Sequence, residues 1–537
     1  MILVVLCGCK LVQVPGSGTA PVDSEADGTE ERACDSGDSG APRARYWTLE
    51  EGADRTWLVS PEGEPVFWLG VNSVMRTSRC DGMQAFIQRM EPQRAAARSW
   101  ARLSTGQVNG EEVARPYCFN SVGAFSETND FDDSPGDSYM VRPPEDGGAG
   151  APYAVLLNPA ARGDAWSLKD AGGQVLRPGH SGYRVGDPYN PAFHADLDRM
   201  VAEDVAPRRD DPALQMWFLG NELGLFDRAD PTGEGVLDLR RALWSDCPDG
   251  STFQAPLCAP DALGAHLERT HGSIGALNAA WGTSHVSFAA LLQSRPAPRE
   301  PGCGSVCQED LQAFVTEELL PAWVREATSR VRAADPNHLL ASPRLALAKS
   351  SKYRFWDGDV WSDAPEVPVP DRIHPFGAMA RVGSSGFDLI AVNVYTGDEG
   401  FEEPWFSAGL SRMHELTGLP VLVSEFGVRG RIEGWSNSGG ATAWVPSDEV
   451  DDQVQRGERY VSQLAQIAQH RFVVGAAWHA WSDRYVADDP DHQINLGLVQ
   501  CDDPERGLQA GRRWNELDER IASANCDIGA LLAAGGP

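Results

Sequence analysis

Short apolar runs alternate with helical stretches through most of this chain of 537 residues. Eight of these runs have the length of a buried strand, and a helix or a long loop separates each from the next. Buried parallel strands have continuous hydrophobic sequences, and alternation with helices is typical of a parallel sheet. The sequence therefore predicts an α/β protein built as a (β/α)8 barrel, the TIM barrel.

The first half of the predicted barrel begins with a hairpin. Residues 57–72 contain a Pro-Glu-Gly turn and lead into the first barrel strand, Val66–Val71. An Ala- and Arg-rich helix at 84–103 follows. Three more strands are expected at 118–125, 151–158 and 216–219.

The second half of the barrel follows an interruption at about 228–310. This segment holds four cysteines and a helical piece, and we expect it to be an elaborated loop over the active-site face. The polar, Gly-rich loop at 159–190 is long enough to form a second wall of a cleft. The alternation resumes with helices at 308–334 and 453–470 and with strands at 338–346, 387–398, 419–425 and 472–483.

Two glutamates stand at the ends of strands in this series. Glu222 follows the run Met216–Leu219, and Glu425 follows Val421–Val423. Catalytic groups of (β/α)8 barrels lie where the strands end. Two carboxylates facing each other there are the equipment of a retaining glycosidase, one as acid/base and one as nucleophile. Either glutamate alone would be read as a solvated strand-end carboxylate, so the hypothesis depends on the pair.

The composition excludes several classes of partner. The formal net charge of −31 argues against nucleic acid and against anionic membrane surfaces. It also fits poorly with a strongly acidic polymer, whereas a neutral sugar is indifferent to it. The 17 tryptophans supply flat apolar faces of the kind on which sugar rings pack, although most are expected in the core.

The N-terminus is interpreted as a targeting signal. An apolar run ends in Leu6-Cys7-Gly8-Cys9, which resembles a bacterial lipobox with Cys9 as the lipidated residue. The run is short and no Lys or Arg precedes it, so a chance apolar terminus remains the alternative. Residues 10–44 are small and acidic and are expected to be a disordered linker. We therefore divide the chain into a lipoprotein-type signal at 1–9, this linker, and a hydrolase domain at 45–537.

The cysteines also indicate export, either as a cell-surface lipoprotein or as a secreted or periplasmic protein. Nine remain beyond the lipobox, and no CxxC pattern with histidines predicts a metal site. Disulfides are the natural interpretation in an oxidising compartment. We expect local pairs of Cys247 with Cys258, Cys303 with Cys307 and Cys501 with Cys526, with Cys34 as the odd residue, although sequence alone leaves the connectivity open.

A family resemblance follows from these motifs. GNE at the end of the fourth strand and SEFG at the end of the seventh resemble the clan of retaining glycosidases that includes β-galactosidases, cellulases and mannanases. The chain is more closely similar to the β-agarases, glycoside hydrolase family 50. The segments that carry this resemblance extend from about 45 to 500 and include RTWLVSPEGEPVFWLGVNSV, CFNSVGAFSE, DPYNPAFHADL, MWFLGNELG, HLLASPRLA, DLIAVNVYT, LPVLVSEFG and VGAAWHAWSD.

The resemblance implies a role for each matching residue. Glu222 would be the acid/base and Glu425 the nucleophile. Asn221 would bind the sugar 2-hydroxyl, and Tyr395 would hold an oxygen of the nucleophile. Trp478 would form the floor of the sugar site, which Asn72, Asn120 and Arg344 would line. No cofactor is implied.

The chain also departs from the agarase pattern. An Asp is expected two residues before the acid/base and a His after Glu-Phe, but Gly220 and Gly427 stand there. His479 replaces an aromatic residue after the last-strand tryptophan, and a large N-terminal carbohydrate-binding region is missing. These differences affect the sugar subsites rather than the two glutamates, so the hydrolase prediction is firmer than agarose as its substrate.

Three alternatives remain open. The segment THGSIGALNAAWGTSHVSF resembles part of the barrel β-galactosidases, so a β-galactosidase or mannanase-like hydrolase is one. A second is a catalytically inactive barrel that binds glycans at the cell surface. A third, a metal-dependent hydrolase, would need several His or Asp ligands at strand ends, where only His479 is found.

Overall fold

The computed structural model describes residues 45–74, 80–82, 107–108, 111–112, 117–126, 152–175, 184–221, 243–295, 303–348, 386–395, 404–435, 449–487 and 489–534. Several predictions fall outside these ranges. They are the lipidated Cys9, the linker at 10–44, the helix at 84–103 and Glu222.

Three antiparallel strands precede the barrel: β1 (Thr48–Glu51), β2 (Thr56–Val59) and β3 (Pro65–Val66). Trp47 and Leu58 belong to the same buried cluster as side chains inside the barrel. The Arg55 guanidinium donates to three carbonyls in and just before the last barrel strand, those of Ala468, His470 and Val473. This small sheet therefore covers the N-terminal end of the barrel.

The first three barrel strands are shorter than the apolar runs that predict them, and the fourth begins two residues before its run and ends one residue before it. They are β4 (Trp68–Val71), β7 (Ser121–Val122), β8 (Tyr153–Leu156) and β9 (Leu214–Phe218). A separate antiparallel pair, β5 (Gln107–Val108) and β6 (Glu111–Glu112), lies between the first two. Helix α1 (Pro191–Met200) begins at the cap Asn190, whose side chain accepts from the Ala192 N–H, and continues as a π turn, Val201–Val205, and a 3-10 turn, Ala206–Arg208.

The segment before the fifth strand is helical. It contains α2 (Ala259–His271), α3 (Ile274–Trp281), α4 (Phe288–Gln293), α5 (Ser305–Phe314) and α6 (Leu320–Ala334). The single helical piece expected here is broken in two, because Gly272 ends α2 with a φ of 70° and Ser273 caps α3. The helix predicted at 308–334 is also divided, by a π turn at Val315–Leu319 just before Pro321, which has no N–H to donate.

The remaining elements complete the barrel and its C-terminal extension. Barrel strands are β10 (Leu339–Ala341), β11 (Leu345–Ala348), β12 (Ile390–Tyr395), β13 (Val421–Phe426) and β16 (Val473–Trp478). Helices α7 (Pro404–Thr417) and α8 (Gln453–Ala468) lie between them in the chain. Two short strands lie between β13 and β16 in the chain, β14 (Arg429–Gly430) and β15 (Glu449–Val450). After β16 come β17 (Arg484–Val486), β18 (Asp489–Ile494), a 3-10 turn (Pro504–Arg506), α9 (Asn515–Cys526) and α10 (Ile528–Ala534).

The parallel sheet has the strand order β10-β9-β8-β7-β4-β16-β13-β12-β11. Since β10 and β11 are consecutive in the chain, they are two halves of one fifth position. The first half pairs with β9 and the second with β12. Isolated bridges of Ala341 with Leu389 and of Asn221 with Arg344 join the two edges. The result is a nearly closed parallel barrel of eight positions, which is consistent with the predicted (β/α)8 barrel.

Side chains of the barrel strands alternate between two buried clusters. Inward residues such as Met216, Phe218 and Leu422 form one cluster. Outward residues such as Trp217 and Val423 belong to a larger cluster shared with the helices. This period of two is what a strand with both faces buried requires.

Four disulfides lie among the described residues. The predicted pairs Cys247–Cys258 and Cys303–Cys307 are confirmed. The expected pairing of Cys501 with Cys526 is wrong, because Cys501 bonds to Cys80 and Cys526 bonds to Cys118. The C-terminal extension is thereby fastened to the loops around the first two barrel strands. Within the part of the chain that the structure describes, no helix is long and apolar enough to cross a membrane.

Candidate active site

Glu425 lies at the C-terminal end of the seventh barrel strand, and a bulge in that strand determines its direction. Next to β12, Val392 pairs with Val423 and Asn393 pairs with Glu425, so Ser424 is the extra residue. A bulge re-aims the side chains that follow it. With Leu422 inside the barrel, strict alternation would turn Glu425 outward. The bulge instead brings its carboxylate among side chains of neighbouring barrel strands.

Three side chains from other positions of the barrel surround the Glu425 carboxylate. Arg344 donates from Nη2 to Oε2 at 2.5 Å, and the Tyr395 hydroxyl donates to Oε1. The ring Nδ1 of His479 lies 3.6 Å from the same Oε1. Burial alone would raise the pKa of Glu425, but the electrostatic interactions with His479 and Arg344 and the hydrogen bonds from Tyr395 and Arg344 outweigh it. The pKa therefore lies below its usual value, and the carboxylate is ionised near neutral pH.

Arg344 connects the ends of the fourth, fifth and seventh strands. It is fully buried and donates to Asn221 Oδ1 at 3.0 Å and to the Ser424 carbonyl at 3.0 Å, besides Glu425. Its guanidinium lies over the ring of Phe125, 5.2 Å from the centroid. The bulge frees the Ser424 carbonyl to accept this bond, so the backbone irregularity and the arginine support one another.

Asn221 is aligned with this cluster by the backbone of Gly220. The φ of Gly220 is 109°, a conformation that residues with a side chain rarely adopt, and its carbonyl accepts from the Arg344 N–H at 2.9 Å. Asn221 Oδ1 accepts from Asn393 Nδ2 at 3.1 Å as well as from Arg344. Among the described residues, no hydrogen bond from its Nδ2 is seen.

Asn72 supports the seventh strand rather than contacting the carboxylate. It is fully buried at the end of β4, and its Nδ2 donates to the Ser424 carbonyl at 2.9 Å. Its backbone bonds on both sides to the last strand region, from its N–H to Trp478 O and from Trp481 N–H to its own carbonyl. Asn72 thus holds the bulge that directs Glu425.

The described contacts of Asn120 are with the protein backbone, and its place at the sugar site stays a prediction. Its Oδ1 accepts from the Leu69 N–H at 2.8 Å and its Nδ2 donates to the Phe67 carbonyl at 2.9 Å. Both bonds go to the backbone of the first strand. The side chain acts as one more rung between neighbouring strands, because the residue precedes β7 instead of following it.

Trp478 is described by its packing contacts in the same way. Its ring is fully buried and makes edge contacts with Phe426 and Tyr460, with centroids 5.6 and 5.3 Å apart. The Arg456 guanidinium of α8 lies 5.8 Å from the ring. The indole therefore packs in the layer between the barrel and α8, and its contact with a sugar stays a prediction.

His479 is the residue near Glu425 to which the sequence analysis assigned no role. It follows Trp478 directly, is 3% exposed, and its peptide bond to Ala480 is cis. The signal was present in the alternation of the last strand, since Ala477 belongs to the inward cluster and Trp478 to the outward one. Continuing that period of two puts position 479 inside.

Glu222, the other predicted catalytic glutamate, lies outside the described residues. It follows Asn221, the last described residue of that segment. One group of potential metal ligands occurs among the described residues, Cys247, Cys258 and Asp261. The two cysteines are joined in a disulfide, so they are not available as thiolate ligands.

No family model matches this chain. Over 359 residues it is 24% identical to Beta-agarase A of Vibrio sp. (strain JT0107), which covers 66% of this chain and 32% of that protein. Over 202 residues it is 30% identical to a Beta-galactosidase of Arthrobacter sp, covering 35% and 24%. The chain thus spans about a third or less of the length of these curated relatives.

Solved structures extend this comparison over most of the chain. An exo-beta-agarase matches with a TM-score of 0.59 at 15% identity, covering 91% of this chain and 65% of that chain. The agarase AgWH50C matches at 0.57 and 16%, covering 91% and 66%. The predicted resemblance to the β-agarases is confirmed. A beta-galactosidase from the psychrophilic Marinomonas ef1 matches at 0.51 and 13%, covering 87% and 60%, so the agarases and the galactosidase share one fold with this chain.

Proposed function

We propose that this protein is a retaining glycosidase that hydrolyses β-glycosidic bonds in a neutral polysaccharide or oligosaccharide. The observation that carries the proposal is the Glu425 carboxylate, buried at the C-terminal end of the barrel and kept ionised by Arg344 and Tyr395. A carboxylate in that state and place is what a nucleophile of this class requires. The similarity to β-agarases and to a β-galactosidase supports the same class.

In the first step a carboxylate oxygen of Glu425 attacks the anomeric carbon as the bond to the leaving oxygen breaks. Glu222 gives its proton to that oxygen. In the second step Glu222 takes a proton from water, and the water oxygen displaces Glu425 from the sugar. The sequence proximity of Glu222 to Asn221, which Arg344 binds, supports this role. The two carboxyl groups of such a pair should lie about 5–5.5 Å apart.

Substrate contacts are proposed from the same cluster. The Nδ2 of Asn221 would donate to the sugar 2-hydroxyl, since its Oδ1 is already occupied by Arg344 and Asn393. Tyr395 would hold the nucleophile, and Arg344 and Asn72 would keep the seventh strand in place. Agarose or a related galactan is the first candidate substrate. A β-galactoside is the second, and the 30% identity over 202 residues to the Beta-galactosidase favours it.

The proposed setting is an oxidising compartment outside the cytoplasm. Four disulfides support this, because such bonds persist in secreted and periplasmic proteins. A lipid at Cys9 and a linker at 10–44 would join the hydrolase domain, 45–537, to a membrane surface. The extra segment at about 228–310 would wall the substrate cleft, and its bonds to the loop after the third strand support this, with Lys169 Nζ 2.7 Å from Asp246 Oδ1.

The two glutamates can be separated by role with an activated aryl β-glycoside. Glu425→Ala should lose turnover on every substrate, because no group remains to form the glycosyl-enzyme. Glu222→Ala should still form that intermediate, since an activated leaving group departs without a proton, and should then stall. Azide needs no base, so it should restore turnover of Glu222→Ala and give a glycosyl azide of retained configuration. With Glu425→Ala, azide should give the inverted product.

The opposite stereochemistry in the two variants would exchange the roles. Activity near that of the wild type in either variant would remove that residue from the mechanism. Wild-type protein that binds sugars but hydrolyses neither aryl glycosides nor a panel of agarose, galactans, mannans and β-glucans would instead support a glycan-binding barrel.

A further inference from the structure

His479 is fixed at its backbone against the strand that carries Glu425. Its N–H donates to the Phe426 carbonyl at 2.8 Å. Its own carbonyl lies only 2.6 Å from the point where a Cβ on Gly427 would be. Any side chain at position 427 would therefore push this backbone away, so the glycine allows His479 to approach the seventh strand.

The two ring nitrogens of His479 face different charged groups. Nδ1 lies 3.6 Å from Glu425 Oε1, and Nε2 lies 3.1 Å from Arg484 Nη2. A guanidinium can only donate, so Nε2 must offer its lone pair to Arg484. The ring is then neutral and carries its proton on Nδ1, which is the nitrogen that faces the carboxylate.

The groups around the pair are consistent with that tautomer. From the other strands, Arg344 and Tyr395 donate to Glu425, so both of its oxygens already accept bonds. An imidazolium at 479 would point an N–H at the Arg484 guanidinium and would add a second positive charge beside it. A neutral ring avoids both costs and keeps its N–H facing Oε1, at a separation of 3.6 Å that is just beyond hydrogen-bond distance.

We propose that His479 is a positioning residue for Glu425, held by Arg484 as the neutral Nδ1–H tautomer so that it orients the carboxylate for attack on the sugar. This proposal rests on the nucleophilic role of Glu425 given above. It assigns Arg484 a function at one remove, as the residue that fixes the ring. It also explains why position 427 has no side chain.

The tautomer can be measured without any turnover. In protein labelled with ¹⁵N-histidine, the His479 signals are identified by their absence from His479→Asn. We expect one proton-bearing nitrogen at Nδ1 and an unprotonated Nε2 near neutral pH. Arg484→Met should allow the proton to move to Nε2. A wild-type ring that is protonated on Nε2 would overturn the proposal whether or not the protein is a glycosidase.

Kinetics then test the consequence for Glu425. His479→Phe keeps a planar ring without a donor, so kcat should fall about 10- to 100-fold with little change in KM, as for a small misplacement of a reacting group. Loss of the donor raises the pKa of Glu425, so the acidic limb of kcat/KM should move to higher pH. His479→Asn retains an N–H near the Nδ1 position and should recover much of the loss and the wild-type limb.

Gly427→Ala is an independent check, because it displaces His479 without removing the ring. It should move the acidic limb in the same direction as His479→Phe, whereas Gly529→Ala, where a Cβ meets nothing within 4 Å, should not. Equal losses in the Phe and Asn variants with unmoved limbs would reduce His479 to packing and sink the proposal. Absence of any Glu425-dependent hydrolysis by the wild type would instead refute the proposed function, and the NMR result would still decide the tautomer.

Discussion

Two buried carboxylate–histidine pairs lie at opposite ends of the barrel. At the N-terminal end, Asp335 and His338 precede the fifth strand position, with Oδ2 2.6 Å from the ring Nδ1 and both side chains fully buried. At the C-terminal end, Glu425 Oε1 and His479 Nδ1 are 3.6 Å apart, and the Glu425 side chain is 9% exposed. The chemical groups are the same, but their surroundings differ.

The partners of Asp335 saturate it. Its Oδ1 accepts from the backbone of Asn337 and His338, and Trp217 Nε1 donates to Oδ2 at 2.8 Å. The other nitrogen of His338 lies 2.8 Å from the Asp211 carbonyl. Most of these bonds come from residues within three positions, so the pair is a local joint at the end of α6. No atom of it is left for a ligand.

The partners of Glu425 come from three separate barrel positions, and one of them, His479, lies 3.6 Å from the carboxylate. A group assembled from distant parts of the chain contributes little to any one turn or helix. Burial raises the pKa of both carboxyls, but their polar and charged partners lower it by more. The pKa of each therefore lies below its usual value, and both groups are ionised. The comparison indicates that ionisation alone does not mark a catalytic carboxylate, whereas convergence of partners from several strand ends does.

The largest expected effect is on turnover. Glu425→Gln should lower kcat by about 10⁴- to 10⁶-fold, the scale seen when a nucleophile is removed. Asp335→Asn should leave kcat/KM per folded molecule within about threefold of wild type, because none of the described hydrogen bonds of Asp335 reaches Glu425 or its partners. Initial rates on an aryl β-glycoside, normalised to the folded fraction from circular dichroism, measure both. A comparable loss in Asp335→Asn would mean that the two ends are coupled.

The next effect is on stability. Asp335→Ala should lower the free energy of unfolding by about 3–5 kcal/mol, because breaking a buried pair leaves the His338 and Trp217 donors without an acceptor. Glu203→Gln is the matched control. It removes the charge that pairs with Arg162 at the surface. The side chains of Arg162 and Glu203 are 48% and 53% exposed, and such pairs contribute at most about 1 kcal/mol. Urea unfolding at neutral pH checks this, and equal midpoints for the two variants would contradict it.

The pH dependence of stability should have opposite signs for Asp335 and for a third buried carboxyl, Asp483. The pKa of Asp335 is lowered, because bonds from His338 and Trp217 outweigh burial. Its stabilisation is present above the unfolded pKa of about 3.9 and is lost as pH falls through the folded value. Burial raises the pKa of Asp483 to about 7, despite the charge of Arg456. Its contribution is therefore present below about pH 4 and is lost as pH rises toward 7.

Melting temperatures measured against pH separate these two groups. Asp335→Asn should flatten the acidic loss below about pH 4, and Asp483→Asn should flatten the decline between about pH 4 and 7. Curves for Asp483→Asn that run parallel to wild type over that window would show that its ionisation does not differ between the folded and unfolded states.

The sequence predicted the barrel well because each strand is a buried run and burial on both faces is written in the residues themselves. Glu425 and Tyr395 were identified because they follow such runs. For Trp478 the strand end predicted its position in the chain but not the side of the strand on which its ring lies. For Glu425 the face depends on the bulge at Ser424, which is visible only in the pairing with β12.

The prediction of the disulfide pairs was partly wrong for a related reason. Neighbours in sequence were paired, which succeeded inside the helical segment, where Cys247 and Cys258 are 11 positions apart. It failed for Cys501, whose partner is 421 positions away. Closure of a barrel brings the two ends of the chain together, and no local pattern records that contact. In the chain-entropy account such long connections constrain the unfolded chain most. Reduction of the disulfides should thus destabilise the junction of the C-terminal extension with the first two barrel strands at least as much as the helical segment.

The smallest expected effects compare one neutral donor at each end of the barrel. Tyr395→Phe keeps the ring but removes the hydroxyl that donates to Glu425, and Trp217→Phe removes the indole N–H that donates to Asp335. A single hydrogen bond to a charged group contributes about 1.5–3 kcal/mol, so each change should be modest.

For Tyr395→Phe this should be a fall in kcat/KM of about 10- to 100-fold, with an acidic limb moved to higher pH because the pKa of Glu425 rises. For Trp217→Phe it should be a loss of about 1–3 kcal/mol in unfolding free energy with kcat per folded molecule unchanged. Steady-state rates against pH and urea unfolding on the same two preparations give both quantities. If Tyr395→Phe lost only stability and Trp217→Phe only activity, the assignment of one end to chemistry and the other to structure would be reversed.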